Sequence, residues 1–165
     1  MLLKKLTLPE LLANSCSRFK CNQSLNFVQS EGRTYQDLYN EVISISHYLL
    51  AAGVGQGDKV AILSANMPNW GITQFAIAQI GAIAVPVLPG FSTTEIRNIL
   101  EHSEAKVIFV SKLLYKLVAD IRTDFLSRKV LMNTFAEIPE GYPVEDIERL
   151  ANNIDLHATG ALPAI

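Results

Sequence analysis

The run Asp58–Val87, DKVAILSANMPNWGITQFAIAQIGAIAVPV, decides the fold. Lys59–Leu63 is a short apolar run of the kind that a strand buried on both faces needs. Ile83–Val87 is a second such run. Between them Trp70–Ile80 is short of charge, so the connecting helix is expected to be buried on most of its surface. Two apolar strands joined by a helix of this length make a parallel βαβ unit with a right-handed crossover.

Upstream, helix starts are well marked. Thr7 and Glu10 have capping-box spacing, with Leu6 and Leu11 as a hydrophobic staple, and the helix should run to about Phe19. Leu25–Val28 and Arg33–Tyr35 flank Ser30-Glu31-Gly32, a hairpin signal. From Tyr35 to about Ala52 a helix carries Leu38, Val42, Ile45 and Leu49 on its inner face, and Gly53 suits the C′ position. Thr34 and Asp37 form a variant capping box at its start.

Downstream, Ser92 and Glu95 repeat the box, with Phe91 and Ile96 as the staple. Thr93–Ser103 is then a helix and Lys106–Val110 a third strand. Leu113, Leu117, Ile121 and Phe125 recur at helical spacing, and Lys129–Met132 reads as a fourth strand. Beyond Asn133 the pattern weakens, with one amphipathic helix over Pro143–Ala151. The expected fold is α/β: three layers, a mainly parallel sheet flanked by helices, preceded by an N-terminal helix and hairpin. Residues 1–140 form the α/β subdomain, and 141–165 a helix and irregular tail.

The chain has 165 residues, enough for one domain that buries roughly 68–70% of its unfolded surface without a metal or disulfide. Its net charge is -2 with no basic block, which excludes phosphate-backbone binding as a main activity. The two cysteines, Cys16 and Cys21, lack a histidine pair nearby and read as reduced thiols. The N-terminus lacks a secretory signature. The greasiest span, Gly71–Phe91, contains Gln74, Gln79, Pro86 and Pro89 and fits a buried helix–strand pair better than a membrane span.

In an open parallel sheet, ligands sit beyond the carboxyl ends of the strands. The polar residues expected there are Ser64, Asn66, Asn69, Ser92, Thr93, Thr94, Ser111 and Lys112. Caps and turns account for nearly all of them: Asn66 before Pro68, Ser92 before Glu95, Ser111 before a helix. Gly53, Gly55 and Gly57 follow a helix and precede a strand, the reverse of a dinucleotide loop. No Walker-type loop or nucleophile elbow is present. His47, His102 and His157 are scattered, and Asp58 precedes its strand, where a phosphoacceptor would follow one. The residues alone assign no activity.

The chain does resemble a known family. Thr34-Tyr35-x-Asp37-Leu38 is followed by Gly53-Val54-x-x-Gly57-Asp58-x-Val60-Ala61-Ile62 and Asn66. Then come Pro68-x-Trp70, Gly81-Ala82-Ile83-x-Val85-Pro86, and Glu95-Ile96 leading to His102-Ser103-Glu104-Ala105-Lys106-Val107. This ordered set, over roughly residues 7 to 112, is similar to the beginning of the adenylate-forming acyl-CoA synthetases, the AMP-binding superfamily. The phrasing around Pro68–Trp70 and His102–Lys106 most resembles the long-chain fatty-acid branch.

The resemblance implies an ATP-dependent acid–thiol ligase of fatty-acid and lipid metabolism. A carboxylate and Mg-ATP give an acyl-adenylate and pyrophosphate, and coenzyme A then takes the acyl group. The family's phosphate loop, T-S-G-T-T-G-x-x-K-G, is absent from this chain. No catalytic, cofactor-binding or metal residue is therefore carried over, and no cofactor is expected on this chain by itself. ATP, Mg and CoA are implied for the full-length enzyme. The expectation is an N-terminal scaffold fragment, inactive alone and cytoplasmic, whose partner is the remainder of the ligase chain. An apolar face would invite self-association, and the full-length enzyme could touch membranes peripherally. The alternatives are a free-standing α/β binding or interaction module without catalysis, and a small nucleotide-binding domain.

Overall fold

The computed structural model describes residues 7–28 and 32–152. Its centre is a five-stranded sheet: β1 (Lys59–Leu63), β2 (Ile83–Val87), β3 (Val107–Val110), β4 (Arg128–Leu131) and β5 (Ala136–Ile138), in the order β2-β1-β3-β4-β5. The first four strands run parallel, and β5 is antiparallel to β4. Successive residues of a strand point to opposite faces, and the core divides accordingly. Val60, Ile62, Val107, Phe109, Val130 and Met132 face one side. Ala61, Leu63, Ile108, Val110 and Leu131 face the other.

The first face is covered by α1 (Leu8–Phe19), α2 (Tyr35–Ala51) and α3 (Pro68–Gln79). The second is covered by α4 (Thr93–Ser103), a 3-10 helix over Lys112–Leu117 and α5 (Ile147–Asn152). Helix starts follow the sequence closely. Both halves of the Thr34–Asp37 and Ser92–Glu95 capping boxes are formed. Thr7 accepts the Glu10 amide at 3.4 Å, while Leu6, its staple residue, lies outside the described residues. Leu38, Val42, Ile45 and Leu49 are all buried, and Gly53 ends α2 with φ +78°, a left-handed geometry that favours glycine. Only Gln79 of α3 is exposed, as a helix short of charge requires.

Four expectations are corrected. The hairpin narrows to a single antiparallel bridge between Gln23 and Thr34, and Leu25–Val28 is not strand. Backbone bonds flank the bridge, the Ser24 amide donating to the Arg33 carbonyl at 2.8 Å and the Tyr35 amide to that of Asn22 at 3.0 Å. Beyond them a side chain takes over, Asn26 Oδ1 accepting the Arg33 amide at 2.6 Å. Ser30 and Glu31 of its expected turn lie outside the described residues. Strand β2 is not buried on both faces but forms an edge, with Ile83 50% exposed. Pro86, which has no amide hydrogen to donate, suits an edge strand.

The third correction concerns Leu113–Phe125, which does not form an α-helix. The 3-10 turn stops at Leu117, leaving Leu113 and Phe125 exposed. Carbonyls that a helix would direct to later amides are claimed by side chains. Lys129 Nζ donates to the carbonyls of Val118 and Ala119, each at 2.7 Å. Arg122 donates to those of Ala119 and Ile121. Fourth, β5 is an element that the sequence did not announce. Its hairpin turns through Phe135 at φ +59°, a left-handed position that glycine ordinarily fills. Tyr48 Oη and Arg128 both bond the carboxylate of Glu137, tying β5 to α2 and β4. Burial, and then the bond to Glu137, raise the Tyr48 phenol above its ordinary value.

Lys129 occupies an inward position of β4, on the face of Leu131. Burial, and then the charge of Arg122, lower its ammonium from 10.5 to about 8. Between those values the unfolded chain holds a proton that the folded chain does not, so this group's contribution to stability rises with pH across the window. The urea midpoint of the native chain minus that of Lys129→Met should therefore grow from pH 7.5 to pH 10. The cost of losing the lysine's bonds to two carbonyls, which keep the Ile121 amide and Arg122 as donors, is constant with pH and cancels from that comparison.

Candidate functional site

Strand β1 lies between β2 and β3, so the chain leaves it toward one side and later returns on the other. This reversal places a switch-point crevice beyond the carboxyl ends of β1 and β3. Ser64 and Ser111 stand there, joined by the Ser111 amide to the Leu63 carbonyl at 3.1 Å. Both are buried. Ser64 Oγ donates to the Ala65 carbonyl at 2.8 Å. Ser111 Oγ has no partner among the described residues and does not cap the 3-10 helix that follows, contrary to its expected role.

Asn69 is the structural centre of the crevice. It sits in the first turn of α3, and its amide donates to the carbonyls of Met132 at 2.7 Å and Asn133 at 3.2 Å. Its oxygen accepts from Arg33 at 3.0 Å. Arg33 also bonds Glu41 at 2.9 Å. Asn133 Oδ1 in turn accepts the Lys112 amide at 2.9 Å, and Lys112 Nζ pairs with Glu148 at 2.8 Å. These bonds join the ends of β3 and β4 to α3, α5 and the segment before α2.

The other expected residues disperse. Ser92 caps α4, and Thr93 and Thr94 are exposed on that helix's first turn. Asn66 is exposed and is not a cap: Met67 holds the N-cap position of α3 without a side-chain bond. With Leu25, Asn26, Phe27, Met67 and Pro68, Asn66 lines a depression of about 270 Å³. A neighbouring basin of about 420 Å³ is walled by Asn26, Arg33, Met67, Asn69 and Asn133. Sequence reasoning passed over Arg33, Asn26 and Asn133. Only Asn133 carried a local signal, because it closely follows a strand.

The crevice is polar but lacks the parts of a reaction centre. Its arginine and lysine are each neutralised by a glutamate. His47 and His102 are exposed on helices, and His157 lies outside the described residues. Cys16 and Cys21 are free thiols, Cys16 buried and its pKa raised by that burial. Asp58 accepts from Lys106 Nζ and the Gly55 amide, each at 2.8 Å. Those bonds, the lysine first, lower its carboxyl pKa and make it a brace between β1 and β3. Among the described residues, no group of three or more His, Cys, Asp or Glu could hold a metal ion. Among the described residues the donors do not fit Mg-ATP: no carboxylate set awaits a metal, and no loop of amides or free cations awaits phosphates. No helix among the described residues is long and apolar enough to cross a membrane.

Fold and crevice together define a three-layer α/β domain with a mainly parallel sheet and a switch point between β1 and β3. The profile of the AMP-binding enzyme family matches residues 13–158, and the chain belongs to that family. Crotonobetaine/carnitine–CoA ligase of Citrobacter koseri is 34% identical over 127 residues, which are 74% of this chain and 24% of that protein. Long-chain-fatty-acid–CoA ligase of Mycobacterium tuberculosis is 37% identical over 76 residues, 46% of this chain and 13% of the relative. An anthranilate CoA ligase crystallised with anthranoyl-AMP superposes on 79% of the chain and 25% of its own, with a TM-score of 0.72 at 23% identity. The chain spans no more than 24% of either relative's length.

Proposed function

We propose that this chain is the N-terminal scaffold of an ATP-dependent acyl-CoA ligase, with fatty acids as the acyl substrates. The reading rests on one observation above others. The family match runs over residues 13–158 while the crevice inside it is knit by structural bonds rather than left open to ATP. Residues 1–140 are the α/β subdomain, with Gly141 at φ +71° opening the segment that leads onward. Within the family, ligases use ATP, Mg and CoA, and the residues that bind them belong to the rest of the enzyme. The parent enzyme is cytoplasmic, with peripheral membrane contact allowed by its greasy substrates.

Activity is tested by pyrophosphate release. The 165-residue chain with ATP, Mg, CoA and palmitate is expected to release none above the blank. The same chain continued by family sequence bearing the T-S-G-T-T-G loop should release it, with a preference for acyl chains over carnitine. Release by the chain alone would overturn the scaffold reading, and a preference for carnitine would overturn the fatty-acid assignment alone.

The same proposal makes the free edge of β2 a contact for the remainder of the ligase. Ile83 and Leu88 there are 50% and 62% exposed, and an apolar unpaired edge invites pairing. The isolated chain should therefore self-associate at high micromolar concentration, and Ile83→Lys should restore a monomer in sedimentation velocity. Identical sedimentation of the two would count against this surface.

A further inference from the structure

A second cavity lies away from the crevice, beside the starting end of β4. It has a volume of about 210 Å³, and Lys129 is on its wall with Tyr115, Ile121, Arg122 and Glu140. The lysine is unusual in position. Its stem runs along the inward face of the sheet, and Nζ ends between the carbonyls of Val118 and Ala119, each 2.7 Å away. A neutral amine has two N–H groups, one for each carbonyl. With both engaged, the nitrogen lone pair occupies a remaining tetrahedral position, and the two carbonyls fix the amine in the cavity wall.

We propose that Lys129 is a site of Nζ-acylation by activated acyl donors, of which acyl thioesters are the class meant. In the step, the Nζ lone pair attacks the thioester carbonyl carbon. A C–N bond forms, the C–S bond breaks, and the departing sulfur takes the proton that the amine sheds. The product is an amide and a free thiol. The amide keeps a single N–H, so one of the two carbonyls gives up its bond to Lys129, while the Ile121 amide still donates to the Val118 carbonyl at 3.1 Å and Arg122 to that of Ala119 at 2.9 Å.

Burial and the charge of Arg122 bring the amine to about 8, while Asp120 and Glu140 act the other way. Tyr115 faces the same cavity as a neutral phenol, raised chiefly by burial. Arg128 and Glu137 also line the cavity, and their charges pair with each other at 2.5 Å. Arg122 is half exposed and bonds Glu140 at 3.1 Å near the rim. An ordinary lysine, near 10.4, is about a hundredfold poorer in free amine at pH 8. Lower basicity gives back part of that advantage, as it does for thiolates, leaving an expected lead of about tenfold.

The test incubates the purified chain with acetyl-CoA and measures acetylation of each lysine by peptide mass spectrometry after Glu-C digestion. At pH 8, Lys129 should be acetylated about tenfold faster than exposed Lys20 and Lys116, and the lead should vanish by pH 10.5. Acetylation of Lys129 no faster than Lys116 at pH 8 would overturn the proposal. So would a lead that persists unchanged at pH 10.5, since that would reflect proximity and not amine supply. The comparison is internal to the native chain and needs no variant to fold. Lys129→Arg, which keeps donors for both carbonyls, should remove the modified peptide and leave the other lysines' rates unchanged. The donor is supplied from outside, so the result is independent of whether the chain belongs to a working ligase.

Discussion

Phe109→Ala is expected to lower the unfolding free energy by about 3–5 kcal/mol, the range for deleting a buried aromatic ring. Phe109 lies in β3, the middle strand, and is fully buried. Its ring meets that of Phe135 edge-on, with centroids 6.2 Å apart and planes at 78°, an arrangement worth about 1 kcal/mol beyond area alone. The contact has a second consequence. Phe135 holds φ +59° at the turn into β5, which costs a non-glycine residue roughly 1–2 kcal/mol. Packing on Phe109 offsets that strain, so removing the ring should loosen the β4–β5 turn as well as open a cavity. Thermal unfolding should fall by on the order of 10 °C for a chain of this size. Amide exchange in Ala136–Ile138 should rise more than in β1. Equal changes in both strands would separate the cavity from the turn and sink the second half of this argument.

The same turn explains what could and could not be read in the sequence. Elements made by apolar runs and helix caps were legible: β1, α2, α3 and α4 begin within a residue or two of where their signals lie. Capping boxes were the most reliable signs, because Thr34–Asp37 and Ser92–Glu95 are local chemistry that tertiary context did not override. Strand β5 was illegible because Asn133-Thr134-Phe135 puts a phenylalanine where a hairpin signal requires glycine, and the compensation comes from Phe109, 26 residues upstream. The false helix at Leu113–Phe125 had good periodicity. It was broken by Lys129 and Arg122, whose bonds to its carbonyls are visible only once β4 is in place. Among the candidate site residues, the location of Ser64, Asn69, Ser111 and Lys112 near the strand ends was legible from strand order. Their roles were not, because each depends on a partner distant in sequence, such as Met132 for Asn69 and Glu148 for Lys112.

Asn69→Leu should cost about 2–4 kcal/mol, although leucine is close in size and more apolar. The side chain is 8% exposed and bonded at both ends. Its removal leaves the carbonyls of Met132 and Asn133 without that donor and takes an acceptor from Arg33, and buried polar groups left unpaired cost about 1–3 kcal/mol each. Asn69→Asp separates the two ends of the bridge. The aspartate still accepts from Arg33 but brings a second oxygen to a carbonyl that is 2.7 Å from the present amide nitrogen. If the donor end dominates, Asp destabilises at least as much as Leu; if Arg33 dominates, Asp is nearly silent. The first result is expected, because Arg33 keeps Glu41 as a partner at 2.9 Å, whereas the carbonyl of Met132 has the asparagine amide as its short contact. Urea titrations of the two variants decide it, and a silent aspartate would shift the centre of the crevice from Asn69 to Arg33. The comparison bears on function as well as stability. A residue kept for a ligand should tolerate both changes in the free protein, while one that ties β4 to α3 should tolerate neither.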